Sequence, residues 1–175
     1  GRHRRRPTDP VSAGIDLSID DIAFSADGQR LWVQAEDGGR VPVFAMNADG
    51  SGFAKQVAEG TNTELDSAGD QLTFLGETSS RAPELFALDA ASGKPRQLTH
   101  FNDALFVGLE LGKVESHEFQ GAGGDRVQLW LTYPPGYDAK KKYPLVQLLH
   151  GGPHTMNRDA FSYRWNSHVF ASPAY

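Results

Sequence analysis

Four consecutive residues, His150-Gly151-Gly152-Pro153, carry the clearest chemistry in the sequence. They follow Tyr143-Pro144-Leu145-Val146-Gln147-Leu148-Leu149, a nearly continuous apolar run that fits a strand buried on both faces. Reacting groups gather at the carboxyl edge of such strands in open α/β sheets. A glycine pair there lets the backbone come close to a bound group and turn its N–H inward. N–H groups aimed this way stabilise an oxyanion, a large contribution in acyl transfer. Out of context the same tetrapeptide is a tight turn, with His150 as a hydrogen-bonded core histidine. The apolar run before it and the aromatic segment after it favour the first reading.

Other chemistries find little support. There is no cysteine, which excludes disulfides, thiolate zinc sites and a cysteine nucleophile. His117-Glu118 has no second histidine at zincin spacing, and no P-loop or dinucleotide fingerprint occurs. Asp20-Asp21 and the scattered Asp-Gly pairs fit turns, since no EF-hand pattern surrounds them. No cofactor and no metal are expected. The formal charge is −5, with 17 Lys+Arg against 22 Asp+Glu, so a domain-wide basic footprint for nucleic acid is missing. Arg2, Arg4, Arg5 and Arg6 around His3 read as a solvated tail, and Lys140-Lys141-Lys142 as a solvated loop. No run approaches the length of a transmembrane helix. The first residues lack the apolar stretch of a signal peptide and do not begin with Met, so the chain reads as an excerpt or a processed product. The compartment stays open.

The elements that must position the glycine loop are short. Gly (19 residues) and Pro (10 residues) are spread along the chain and punctuate short apolar runs, a strand-and-turn signature. Displacing the chain by 42 residues sets Ser25-Ala26 on Ser67-Ala68, Gln29 on Gln71, Phe44-Ala45 on Phe86-Ala87, Met46 on Leu88 and Asn47 on Asp89. The first copy gives strands at 22–25, 31–34, 43–46 and 53–57, with turns at Asp27-Gly28, Asp37-Gly38-Gly39 and Asp49-Gly50. The second gives strands at 72–75, 85–88 and 97–99, with a turn at Ser92-Gly93. Short strands repeating at this period are the pattern of β-propeller blades. One blade cannot cover both its faces, so neighbours must. A small antiparallel sandwich is the alternative.

After about residue 110 the pattern changes. The runs 114–119 and 127–132 flank Gly121-Ala122-Gly123-Gly124-Asp125 and read as a hairpin. Tyr133-Pro134-Pro135-Gly136-Tyr137 must leave the ladder, because proline has no N–H to donate. Phe161, Trp165, Val169 and Phe170 are spaced like one apolar helix face, which Pro173 would stop.

Gln147–Pro153 followed by Phe161-Ser162-Tyr163-Arg164-Trp165-Asn166 resembles the start of the catalytic domain of prolyl-oligopeptidase-type serine peptidases, in the acylaminoacyl-peptidase and dipeptidyl-peptidase 5 branch. Lys113–Ser116, Phe119–Asp125 and Trp130–Gly136 resemble that branch's entry into the same domain, and the likeness spans about residues 20–175. The resemblance implies a β-rich chain: a partial propeller of about two four-stranded blades, then the N-terminal part of an α/β-hydrolase domain. The implied division is 1–19 as a basic tail or partial blade, 20–110 as blades and 111–175 as the start of a truncated catalytic domain.

It also implies that Gly152 supplies an oxyanion-hole N–H, that Gly151 allows the turn and that His150 holds the loop. In other branches a tyrosine at the His150 position binds the oxyanion; histidine is usual in this one. The family's G-x-S-x-G is absent. Ser162, Ser167 and Ser172 lack that elbow context, and His154 and His168 precede the place of the triad histidine. The expectation is part of a serine peptidase acting on short peptides by acyl-enzyme chemistry, inactive alone and requiring the rest of its catalytic domain. Neither nucleic acid nor membrane is an expected partner, and an oligomer is open. A propeller-type protein-binding module and an α/β-hydrolase esterase are the alternatives.

Overall fold

A computed structural model describes residues 10–68, 71–89, 93–152 and 155–172. Two four-stranded antiparallel meanders dominate it. The first runs β1 (Ile19–Phe24), β2 (Arg30–Ala35), β3 (Val43–Asn47), β4 (Ala54–Val57), in sequential order. The second runs β5 (Thr61–Ala68), β6 (Gln71–Thr78), β7 (Arg81–Asp89), β8 (Pro95–Gln97), in the same order. The repeat therefore places equivalent strands of two blade-like sheets. Phe44 and Phe86, matched by the displacement, lie on the third strand of each. Strand β5 is not among the strands expected from the sequence, because Thr61–Ala68 is mostly polar. Its ladder is irregular between Thr63 and Asp66, with Glu64 at φ +55°. Such a bulge bends and twists a strand.

The sheets stack face to face. Trp32, Val43 and Ala45 of the first meet Leu72, Phe74, Phe86 and Leu88 of the second in one buried cluster. Burying such a side chain contributes roughly 1.5–3 kcal/mol. The other face of the first sheet holds Leu31, Val33, Ala35, Phe44 and Met46, covered by Ile15, Leu17, Ile19 and Phe53. Hence β2 is buried along nearly its whole length, whereas β6 alternates, because the described residues put no such cover on its second face. A parallel bridge between Val41 and Thr61 joins the sheets. There Asn62 donates its backbone N–H and its Nδ2 to Val41 O at 3.1 and 2.9 Å.

Beyond β8 the chain is held by a buried carboxylate. Glu84, 2% exposed, accepts from Thr99 Oγ1 (2.5 Å), the Asn102 N–H (2.7 Å), Asn102 Nδ2 (3.0 Å) and the Phe101 N–H (3.2 Å). Burial pushes its carboxyl up, but these donors outweigh burial and hold it below the usual range. Thr99 thus belongs to this network and not to the last strand, which ends at Gln97. A short helix α1 (Asp103–Phe106) follows. The expected hairpin forms from β9 (Val114–Gln120) and β10 (Arg126–Thr132), joined by a 3-10 turn at Ala122–Gly124.

Two expectations for the last third fail. Residues 143–149 form no strand: Leu145 is 82% and Leu149 81% exposed. A strand buried on both faces needs ladder partners and covering layers, and the described residues supply neither. The aromatic face does not start a helix at Phe161. The helix α2 is Ser167–Ala171, opened by Asn166, whose side chain accepts from the His168 N–H. Phe161 packs edge-on against Phe106 and Tyr163, and Trp165 stacks on Phe170. The arginine cluster, Ser92, Pro153, His154 and Pro173 lie outside the described residues.

Candidate functional site

His150, Gly151 and Gly152 sit together on an exposed turn. His150 is not a core histidine. Gly152 has φ +83°, where a Cβ is strained although space is available; the nearest atom would be Thr155 Oγ1 at 3.8 Å. The backbone geometry, not crowding, calls for glycine.

Thr155 is the residue that sequence reasoning missed. Its Oγ1 lies 3.0 Å from Gly151 O, 3.4 Å from Gly152 O and 3.1 Å from His150 Nδ1. A hydroxyl has one proton to give. Donation to Gly151 O and acceptance from a protonated His150 Nδ1 satisfies the two shorter contacts at once. The available signal was a threonine shortly after a Gly-Gly turn, where a hydroxyl bonds nearby backbone.

Among the described residues, the other serines and histidines singled out from the sequence make local contacts. Ser162 Oγ accepts from the Trp165 and Arg164 N–H groups at 2.8 and 3.3 Å, shaping a turn. Ser167 Oγ accepts from Thr132 Oγ1 at 2.9 Å, and the Ser172 N–H closes α2 on His168 O. The described Ser–His contact joins Ser80 Oγ and His168 Nε2, 2.9 Å apart. His168 is buried, and among the described residues its Nδ1 has no partner and no carboxylate orients the ring. A catalytic base needs that third group. Burial holds the His168 pKa below its ordinary value.

Two clefts flank the hairpin. One, of about 390 Å³, is lined by Leu111, Tyr133, Pro134 and Tyr137 with Glu115 at its edge. Hydrogen bonds from Lys113, Tyr133 and His117 hold the Glu115 carboxyl down to about 2, and the Tyr133 hydroxyl is pushed up by the same contact. A carboxylate ionised so firmly is a poor general acid or base near neutrality. The other cleft, of about 220 Å³, includes Arg40, Ser79, Ser80, Trp130 and Asp159. There the Arg40 guanidinium lies 4.9 Å from the Trp130 ring centre and its Nε 3.1 Å from Glu59.

No family model matches the chain. It is 30% identical to dipeptidyl-peptidase 5 of Trichophyton equinum over 176 residues, 97% of this chain and 24% of that protein. It is 31% identical to a probable dipeptidyl-peptidase 5 of Aspergillus clavatus, over 94% of this chain and 24% of the relative. The chain therefore spans about a quarter of the length of these relatives. Among solved structures it is similar to Pyrococcus horikoshii acylaminoacyl peptidase, with TM-score 0.75 and 22% identity over 94% of this chain and 25% of that one. It is also similar to Porphyromonas gingivalis dipeptidyl peptidase 4, with TM-score 0.66 and 21% identity over 98% of this chain and 25% of that one. At these identities the structural likeness speaks to the fold.

Proposed function

We propose that the chain is part of a serine peptidase of the prolyl-oligopeptidase family, and that it forms the junction between a propeller and an α/β-hydrolase catalytic domain, contributing one arm of the oxyanion hole. The reaction would be removal of short N-terminal units from peptides through an acyl-enzyme. One relative is named a dipeptidyl-peptidase and one similar structure an acylaminoacyl peptidase. The nucleophile, base and orienting carboxylate would come from outside these residues, and the chain alone would be inactive.

The observation that carries this reading is Gly152 at φ +83° in a turn tied by Thr155. Attack by a serine hydroxyl on the scissile carbonyl moves negative charge onto its oxygen. The Gly152 N–H would donate to that oxygen, and the N–H following the nucleophile would supply the second donor. Gly151 gives the turn its freedom. His150, bonded through Nδ1 to Thr155, would fix the loop and make no contact with the oxyanion.

The test uses the protein as isolated from its source. Its intact mass and the sequence of any co-purifying chain are determined, and a fluorophosphonate probe is applied to it and to the 175-residue chain alone. The expected result is labelling of a serine in a G-x-S-x-G outside these residues, and none of the isolated chain. In the labelled enzyme Gly152→Pro, which deletes the N–H, should lower kcat by roughly 10²–10³. Full dipeptidyl cleavage by Gly152→Pro would refute the oxyanion role. Hydrolysis of acyl esters without peptide cleavage would favour an esterase.

A further inference from the structure

We infer that the Ser79-Ser80 turn between β6 and β7 is a clasp that positions the His150–Gly152 loop, with Asp159 and His168 as its two anchors. This rests on the reading of Gly152 as an oxyanion donor. The four are positioning residues: they act through the loop and touch no reacting atom.

Among the described residues after Leu88, only Asp159 and His168 are buried, each 7% exposed. Both bind the same turn. Asp159 Oδ1 accepts from the Ser79 N–H at 2.8 Å and from Ser79 Oγ at 2.9 Å. His168 Nε2 lies 2.9 Å from Ser80 Oγ. Two adjacent residues of one turn therefore fix two points nine residues apart on the segment that follows the loop.

The same segment is tied at further points. The Asp159 N–H donates to Gly39 O at 2.8 Å, in the β2–β3 turn of the first sheet. The Phe161 N–H donates to Glu77 Oε2 at 3.0 Å. Trp130 Nε1 of the hairpin donates to Asn157 O at 3.0 Å. Among the described residues the glycine turn has no such tie to the sheets. It is exposed, and its side-chain tie is Thr155, four residues before Asp159. Four residues reach at most about 14 Å, so fixing Asp159 confines Thr155 and with it the Gly151 carbonyl. The position of the second sheet is thereby transmitted to the direction of the Gly152 N–H. A misplacement of about 1 Å in such a donor costs up to about 10²-fold in rate.

The experiment compares the full-length enzyme with Asp159→Ala, Ser79→Ala and the double variant. It measures kcat and KM on a dipeptidyl or acylaminoacyl amide, inhibition by a peptide aldehyde that forms a tetrahedral oxyanion, and the titre of active serines. We expect kcat to fall about 10- to 100-fold for Asp159→Ala, with KM within about twofold and the titre unchanged. Aldehyde binding should weaken in parallel, and the double variant should lose less than the product of the singles. Unchanged kcat and aldehyde binding in both single variants would overturn the inference. So would losses accounted for wholly by a reduced titre in both, since the contacts would then only hold the fold. Absence of peptidase activity in the unsubstituted full-length protein would sink the functional reading and the inference with it. Activity that both variants retain would sink the inference alone.

Discussion

The surroundings of His168 make its hold on α2 depend on pH. The ring is buried against Ser80, and burial lowers its pKa from 6.5. A histidine depressed in the folded state binds fewer protons there than in the unfolded chain. Its contribution is fully present above about pH 6.5 and is lost as pH falls through the lower folded value. Hydrogen-exchange protection factors of residues 166–172 in the full-length protein should therefore drop between pH 7 and 5, and His168→Gln should flatten that drop. A flat profile in the unsubstituted protein would show that protonation of this ring is not opposed. At the same scale Thr155 shows how one hydroxyl organises a turn: two of its contacts suffice to link His150 to the Gly151 carbonyl.

At the scale of elements, the passage from the first sheet to the second is a short link with little tolerance. Gly60 accepts the Val41 N–H at 3.0 Å and has φ +72°. A Cβ there would stand 2.1 Å from Glu77 O and 3.2 Å from Thr78 Cγ2, at the end of β6. Strain and steric contact add, and Gly60→Ala should destabilise the sheet pair by about 1–3 kcal/mol. The check is a denaturant titration followed by tryptophan fluorescence, since Trp32 lies in the shared core. A shift under about 0.5 kcal/mol would mean that the crossing relaxes freely. Gly60 also sits beside the Asn62 side chain that bonds Val41 O and Glu59 O, so the crossing is specified by both backbone and side chain.

At the scale of the whole molecule, apolar surface is distributed unevenly. The sheets bury a common core, while Leu145, Leu149, Phe101 and Val107 are each more than 80% exposed. Exposed apolar surface on this scale marks an interaction or an aggregation liability. The 175-residue chain expressed alone should therefore be only partly folded. Exchange protection is expected in 19–89 and little in 143–155, with dye binding and soluble oligomers on size exclusion. A monodisperse monomer with one sharp cooperative melt would contradict this.

Much of the fold was legible because its causes are local. The displacement that pairs Phe44-Ala45 with Phe86-Ala87 records two sheets with the same strand order, and Asp-Gly pairs mark the turns of the first. Strand alternation and turn chemistry are properties of a few neighbouring residues, so sequence suffices for them. The glycine turn was legible for the same reason, since φ +83° at Gly152 needs a residue without Cβ. Tertiary structure decided the rest. The run 143–149 reads as a doubly covered strand, yet a strand exists only where partners and covering layers stand beside it. The pairing of Ser79 and Ser80 with Asp159 and His168 spans 80 and 88 residues. No periodicity encodes such a meeting, which arises only when the second sheet and the segment after the glycine turn are brought face to face.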